Sequence, residues 1–92
     1  MNKDSIVTLH PHGKTGRKIA KIKYEQMKSV MLTVLKDTEL THNELFTALE
    51  QLLQGKFDGN IGWYGETLKL DLEARGILER TDKKPQKYKL KE

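Results

Sequence analysis

The chain has 92 residues, enough for one domain with a modest hydrophobic core and too few for two. It has no cysteine, which excludes disulfides and thiolate metal sites. It also lacks an apolar run long enough for a signal peptide or a membrane span, so we expect a cytoplasmic protein by elimination.

The net charge of +4 is unevenly distributed along the chain. Residues 14–28 and residues 80–91 each hold six basic side chains against one acidic side chain. Residues 29–79 hold four bases and nine acids, a net charge of −5. Because phosphate attracts basic surfaces, any contact with nucleic acid is expected near the two ends of the sequence.

The first twenty residues predict an irregular N-terminal arm. Residues 6–9 could form a short strand, and a turn is expected at residues 10–13, where proline and glycine interrupt regular structure. From about Lys21 to Lys36 the apolar residues follow the spacing of one buried helical face. The predicted face of this first helix consists of Tyr24, Met27, Val30, Met31, Val34 and Leu35.

A capping box predicts where the second helix begins. Thr41 and Glu44 have the spacing at which each side chain bonds the other residue's backbone N–H, and Leu40 and Leu45 are placed for a hydrophobic staple. Gly55 is expected to end this helix. Its apolar face would be Leu45, Phe46, Leu49, Leu52 and Leu53.

A third helix is predicted from about Ile61 to Arg75, capped by Asn60 and ended by Gly76. The strands at residues 77–80 and 87–90 would then form a hairpin across a polar loop. Its apolar side chains would close the open end of the three helices. These closing residues are Ile77, Leu78, Tyr88 and Leu90.

Three helices followed by a hairpin is the layout of a winged helix, a helix-turn-helix with a β-hairpin wing. Residues 72–80 resemble the end of the recognition helix and the start of the wing in that family, and residues 85–90 resemble its returning strand. The expected fold is therefore α+β and mostly α. Residues 1–20 would be the arm, and residues 21–92 the winged-helix domain.

A narrower resemblance covers nearly the whole chain and concerns small, uncharacterised bacterial winged-helix proteins. It implies the fold and no particular activity. The similar segments are His10-Pro11 followed by Gly13-Lys14, then Lys23-Tyr24, and Gly62-Trp63-Tyr64 leading into residues 70–76.

Motifs for catalysis or cofactors are weak. Gly13-Lys14-Thr15 matches the end of a phosphate-binding loop, but Thr8 stands where that motif needs another glycine. The three histidines lack the spacing and companions of a zinc site, and no nucleophile–base or carboxylate pair emerges. We expect no metal, no cofactor and no enzymatic activity.

The leading functional hypothesis is double-stranded DNA binding, typical of a transcriptional regulator. Bases on the arm and wing would contact phosphates, with low sequence specificity, and two residues of the third helix would lie nearest the groove. The predicted residues are Lys14, Arg17 and Lys18 on the arm, Thr67 and Lys69 on the helix, and Lys83, Lys84 and Lys87 on the wing.

The alternative hypothesis is a module for protein interaction, with a protein partner or a second copy of the chain. Glu66 and Asp71 are expected on the outer face of the third helix, and DNA would repel both of them as well as Glu73. Trp63 and Leu70 lie two helical turns apart and could form an apolar strip there. Glu66 would belong to the same protein-contact surface. Tyr64 fits the buried face of this helix better than Trp63 does.

Overall fold

The computed structural model describes residues 4–13 and 16–91. Within these residues the chain is a mostly helical α+β fold with two small antiparallel sheets. The elements in chain order are β1 (Ser5–Val7), β2 (Lys18–Ala20), α1 (Lys21–Leu35), β3 (Leu40–Thr41), α2 (His42–Leu53), α3 (Ile61–Ala74), β4 (Leu78–Arg80) and β5 (Lys87–Leu90).

The described part of the N-terminal segment is a hairpin, so the expectation of an irregular arm is wrong. Strand β1 pairs with β2, with Ser5 opposite Ala20 and Val7 opposite Lys18. The hairpin packs on α1, and Ile19 is only 5% exposed. Burial of this isoleucine in the common core ties the segment to the helices.

The predicted beginning of α2 is confirmed in detail. The Thr41 backbone N–H donates to Glu44 Oε1 (2.9 Å), and the Glu44 N–H donates to Thr41 Oγ1 (3.2 Å). Each side chain thereby satisfies a backbone donor that the first helical turn leaves free. At the other end, Gly55 adopts a left-handed conformation (φ 76°) just after the cap residue Gln54.

Helix α3 also begins and ends as its sequence predicts. Asn60 Oδ1 accepts a hydrogen bond from the Trp63 N–H (2.8 Å), and Gly76 has φ 76° directly after the C-cap. The N–H of Gly76 donates to the carbonyl of Glu73 (3.1 Å), and that of Ile77 donates to the carbonyl of Leu72 (2.9 Å). This pair of bonds is a Schellman motif, which turns the chain directly into β4.

The C-terminal hairpin is one part of a three-stranded sheet in the order β3–β5–β4. Leu40 lies opposite Tyr88, and Leu78 opposite Leu90. Strand β3 has no signal in the sequence, since two residues are too few to show an alternating pattern. As expected, the apolar side chains of the hairpin join the core: Leu78 and Tyr88 are buried, and Ile77 and Leu90 pack against the core cluster.

The core draws on all three helices and on both sheets. The expectation for Leu52 is wrong, since its side chain is 49% exposed, while Val30 and Val34 are half-buried beside the core. In the described part of the chain, no helix has the length and apolar character needed to span a membrane. The buried hydrophobic residues are Ile19, Tyr24, Met27, Met31, Leu35, Leu45, Leu49, Leu53, Phe57, Leu68, Leu72, Leu78 and Tyr88.

Candidate functional site

A groove of about 320 Å³ lies between the N-terminal hairpin and the outer face of α3. We call it the α3 groove. It brings together five residues that the sequence predicts separately, for DNA or for protein contact: Arg17, Trp63, Glu66, Thr67 and Leu70. Thr8, Leu9, His10 and Gly16 complete its lining from the hairpin side.

The hairpin wall of the α3 groove is held by a close approach of two backbones. Thr8 is 2% exposed and exchanges two hydrogen bonds with Arg17, from its N–H to the Arg17 carbonyl and from the Arg17 N–H to its Oγ1, both 2.8 Å long. Gly16 makes this approach possible, because a Cβ there would lie 1.6 Å from the Thr8 carbonyl oxygen. A side chain at this position would force the two segments apart.

The wall is tied to α3 through Asp71, which is fully buried. Its carboxylate accepts hydrogen bonds from the Tyr24 hydroxyl (2.5 Å), the Leu9 N–H (2.8 Å) and Arg75 Nε (2.9 and 3.0 Å). The expectation that Asp71 is exposed on α3 is therefore wrong. Three donors offset the cost of burying its charge, and they join the hairpin, α1 and α3.

These contacts shift the ionisation of the partners of Asp71. Burial, followed by the hydrogen bond to the Asp71 carboxylate, raises the pKa of Tyr24 to about 12. The hydrogen bond to Asp71 also raises the pKa of Arg75 above its ordinary value. Tyr24 therefore remains a neutral donor, and Arg75 a cation, throughout the physiological range.

Lys69 does not lie where the DNA hypothesis requires it. The residue is 3% exposed, and its Nζ donates to the Tyr88 hydroxyl (3.0 Å) and pairs with Glu66 Oε1 (3.1 Å). The ammonium also lies 4.3 Å from the centre of the Tyr88 ring. The expected role of Lys69 in contacting DNA is corrected accordingly, because its ammonium is buried in the contact between α3 and β5.

Each of the three acids on α3 has a basic partner. Asp71 pairs with Arg75, and Glu66 pairs with Lys69. Glu73 accepts two hydrogen bonds from Arg80, of 2.6 and 3.0 Å, across the contact between α3 and β4. The outer face of α3 therefore carries much less net negative charge than its sequence indicates.

Trp63 lies at the rim of the α3 groove and is 44% exposed. Its ring meets Tyr64 edge to face at a centroid distance of 4.9 Å, and Tyr64 in turn packs against Phe57 at 5.1 Å. Tyr64 is half-buried against the core, as its position in the helical period predicts. The tryptophan thus contacts the core through Tyr64 and leaves a substantial part of its side chain exposed to solvent.

The bases of the predicted wing lie on the loop at residues 81–86 and at the start of β5. Lys83 and Lys84 are exposed, and Lys87 is half-buried. On the hairpin, Arg17 and Lys18 are exposed, whereas Lys14 lies outside the described residues. Within residues 4–13 and 16–91, no ion pair restrains any of the three wing lysines, Arg17 or Lys18.

The weak motifs receive no support from the geometry. Lys14 and Thr15 of the partial phosphate-loop motif lie outside the described residues, and Thr8 is buried in the hairpin wall. The described residues hold no group of three histidine, aspartate or glutamate side chains that could bind a metal ion.

The fold and the groove define a small α+β domain of three helices, closed by a three-stranded sheet and flanked by an N-terminal hairpin. The chain belongs to a family of unknown function, DUF6958, whose model matches residues 5–88. This agrees with the resemblance to uncharacterised proteins, and the match does not indicate a winged-helix family. No curated protein and no solved structure matches the chain.

Proposed function

We propose that this chain is a winged-helix protein that binds double-stranded DNA, mainly through phosphate contacts. The order of its elements supports the winged-helix arrangement. Three helices are followed by the β4–β5 hairpin, which closes the open end of the helices, and β3 extends the same sheet. The loop between β4 and β5 would be the wing.

The pairing of the α3 acids is the observation that carries the proposal. Glu66, Asp71 and Glu73 would repel phosphate if they were free, but each is held by a basic side chain. Among the described residues, bases without an ion pair lie on the wing loop and on the hairpin, on segments adjoining α3 in sequence or in space. The surface around α3 is therefore suited to a polyanion.

The proposed contacts follow from exposure and charge. Lys83, Lys84 and Lys87 of the wing would bind phosphates together with Arg17, Lys18 and Lys14 of the N-terminal segment. Thr67 is the residue of α3 proposed to lie nearest the base edges, and the buried Lys69 is left out. Because Thr67 is the one α3 side chain proposed to reach the base edges of the DNA, binding would be weakly specific and steeply dependent on salt.

Fluorescence anisotropy with a mixed-sequence duplex tests this proposal. At about 50 mM salt we expect a Kd below about 100 μM, the weak limit of ordinary non-specific binding. The double variant Lys83→Gln/Lys84→Gln should reduce the slope of log K against log salt by about two, because two phosphates would no longer be neutralised by a lysine.

The matched control removes the same charge elsewhere. Lys36 and Lys56 are exposed residues after α1 and α2, and the variant Lys36→Gln/Lys56→Gln should leave the slope nearly unchanged. Absence of binding at about 100 μM protein would contradict DNA binding. Equal effects of the two double variants would contradict a specific role of the wing.

A second candidate function is protein interaction through the α3 groove, and the exposure of Trp63 favours it. Trp63 and Leu9 are each 44% exposed and line the groove from α3 and from the hairpin side, and Leu70 and Glu66 also line it from α3. Exposed apolar residues grouped in this way are typical of contact surfaces. Under this candidate, Trp63→Ala would abolish self-association or partner capture while changing thermal stability little.

A further inference from the structure

We infer that the α3 groove binds a small aromatic carboxylate. The groove of about 320 Å³ is at the lower end of the volumes usual for small-molecule sites. The groove excludes the wing lysines but shares Arg17 and Thr67 with the proposed DNA contacts, and its occupation can be measured without nucleic acid.

The apolar part of the groove suits a flat ring. Trp63 is 44% exposed at the rim, and Leu9 and Leu70 provide aliphatic surface on the two walls. Aromatic rings stack favourably against an indole, and a bound ring would cover apolar surface that now meets water. An aromatic body is thus the ligand group that this part of the lining favours.

The charged part of the groove suits an anion. Arg17 lines the groove, and its guanidinium has no hydrogen-bond or ion-pair partner among the described residues. Glu66, the acid in the lining, is already neutralised by Lys69 at 3.1 Å. His10 and the Thr67 hydroxyl add further polar groups. An arginine matches a carboxylate with two parallel hydrogen bonds, which favours a carboxylate over a neutral group.

The groove is also held in shape before any ligand arrives. Its hairpin wall is fixed by the paired hydrogen bonds between Thr8 and Arg17, and the bond from the Leu9 N–H to Asp71 anchors that wall to α3. A preformed wall lowers the ordering cost of binding. Neither residue of the Thr8–Arg17 pair can shift without breaking these bonds.

A titration with phenylacetate and its uncharged analogue phenylacetamide tests the inference. Trp63 is the only tryptophan in the chain, so its fluorescence reports on the groove directly. We expect phenylacetate to give a saturable change with a Kd on the order of 1 mM or tighter. Phenylacetamide should bind about tenfold more weakly, since it lacks the charge that Arg17 would pair with.

Two variants and a second readout locate the site. Arg17→Gln should weaken phenylacetate binding about tenfold and remove the preference over the amide, whereas Lys21→Gln, a nearby exposed base outside the lining, should leave both unchanged. Amide chemical shifts should change at Leu9, Thr67 and Leu70. Absence of saturation by about 10 mM, equal binding of acid and amide, unaltered binding by Arg17→Gln, or shifts elsewhere would overturn the inference.

Discussion

Asp71 is a fully buried carboxylate that joins three segments distant in sequence. Its partners Tyr24 and Leu9 lie 47 and 62 positions away, and Arg75 lies one helical turn further along the chain. A buried charge is tolerated only when its lone pairs are occupied by donors, and here a hydroxyl, an amide and a guanidinium occupy them. The residue therefore fixes the position of the hairpin wall against α3.

Replacement of Asp71 by asparagine should destabilise the protein by about 3 kcal/mol. The variant keeps one acceptor oxygen and places an amide NH₂ against a donor, so that Arg75 or Tyr24 is left without an acceptor in the interior. Urea denaturation measures the change. As a control, Glu50→Gln removes one exposed charge from α2 and should alter the free energy of unfolding by less than about 0.5 kcal/mol. An unaltered midpoint for Asp71→Asn would show that the carboxylate is dispensable.

The burial of Asp71 and Lys69 could not be predicted from the sequence. Helical periodicity assigns charged residues to the solvent side, because an isolated helix offers no partner for a buried charge. The partners come from β5 for Lys69 and from α1 and the hairpin for Asp71. Such long-range contacts leave no local signal. Thr67 and Trp63, by contrast, do lie on the outer face where the period places them.

The N-terminal hairpin is the element whose form depends most on one backbone position. Strands β1 and β2 have three residues each, and Thr8 and Arg17 continue their pairing towards α3. Gly16 lies beside that continuation, with the Thr8 carbonyl in the space that a Cβ would fill. The close pairing in the hairpin therefore requires that residue 16 has no side chain, because the strands themselves are short.

Gly16→Ala should open the hairpin while leaving the three helices folded. The added methyl group cannot be accommodated without displacing the Thr8 backbone, at a cost of about 1–3 kcal/mol. Hydrogen exchange should then be faster at the amides of Thr8, Leu9 and Arg17, with the α2 amides unchanged. Gly62→Ala is the matched control, because a Cβ there first meets Asn60 Oδ1 at 3.4 Å and a helix favours alanine. Equal protection in both variants would contradict this role of Gly16.

The elements themselves are predictable to different degrees, for physical reasons. The boundaries of α2 and α3 follow from caps that act within four residues, namely the box at Thr41 and Glu44 and the stop at Gly76. Strand β2 is defined by its pairing with β1, and β3 by its pairing with β5. Both strands are too short to show an alternating pattern in the sequence. The sequence alone therefore predicts the three helices well, but not the hairpin that forms one wall of the groove.

At the scale of the whole molecule, the contribution of a charged side chain to the surface field depends on its ion-pair partner more than on its position in the sequence. The acids of α3 are each held by a base, while the bases of the wing loop and the hairpin have no ion-pair partner within the described residues. Summing charges along residues 29–79 counts Glu73 without its partner Arg80, which lies one residue beyond that segment. The net charge of a segment is thus a poor guide to the field above a particular face.

The hairpin and the helices should unfold together as one cooperative unit. Ile19 is buried in the common core, and Asp71 joins the Leu9 backbone to α3 and α1. Trp63 fluorescence reports on the groove, whereas far-ultraviolet circular dichroism follows the helices, so coincident urea transitions would demonstrate the coupling. In Asp71→Asn the bond that anchors the hairpin wall is weakened, and the fluorescence transition should move to lower urea than the dichroism transition. Separate transitions in the unaltered chain would instead mean that the N-terminal segment folds as an independent arm.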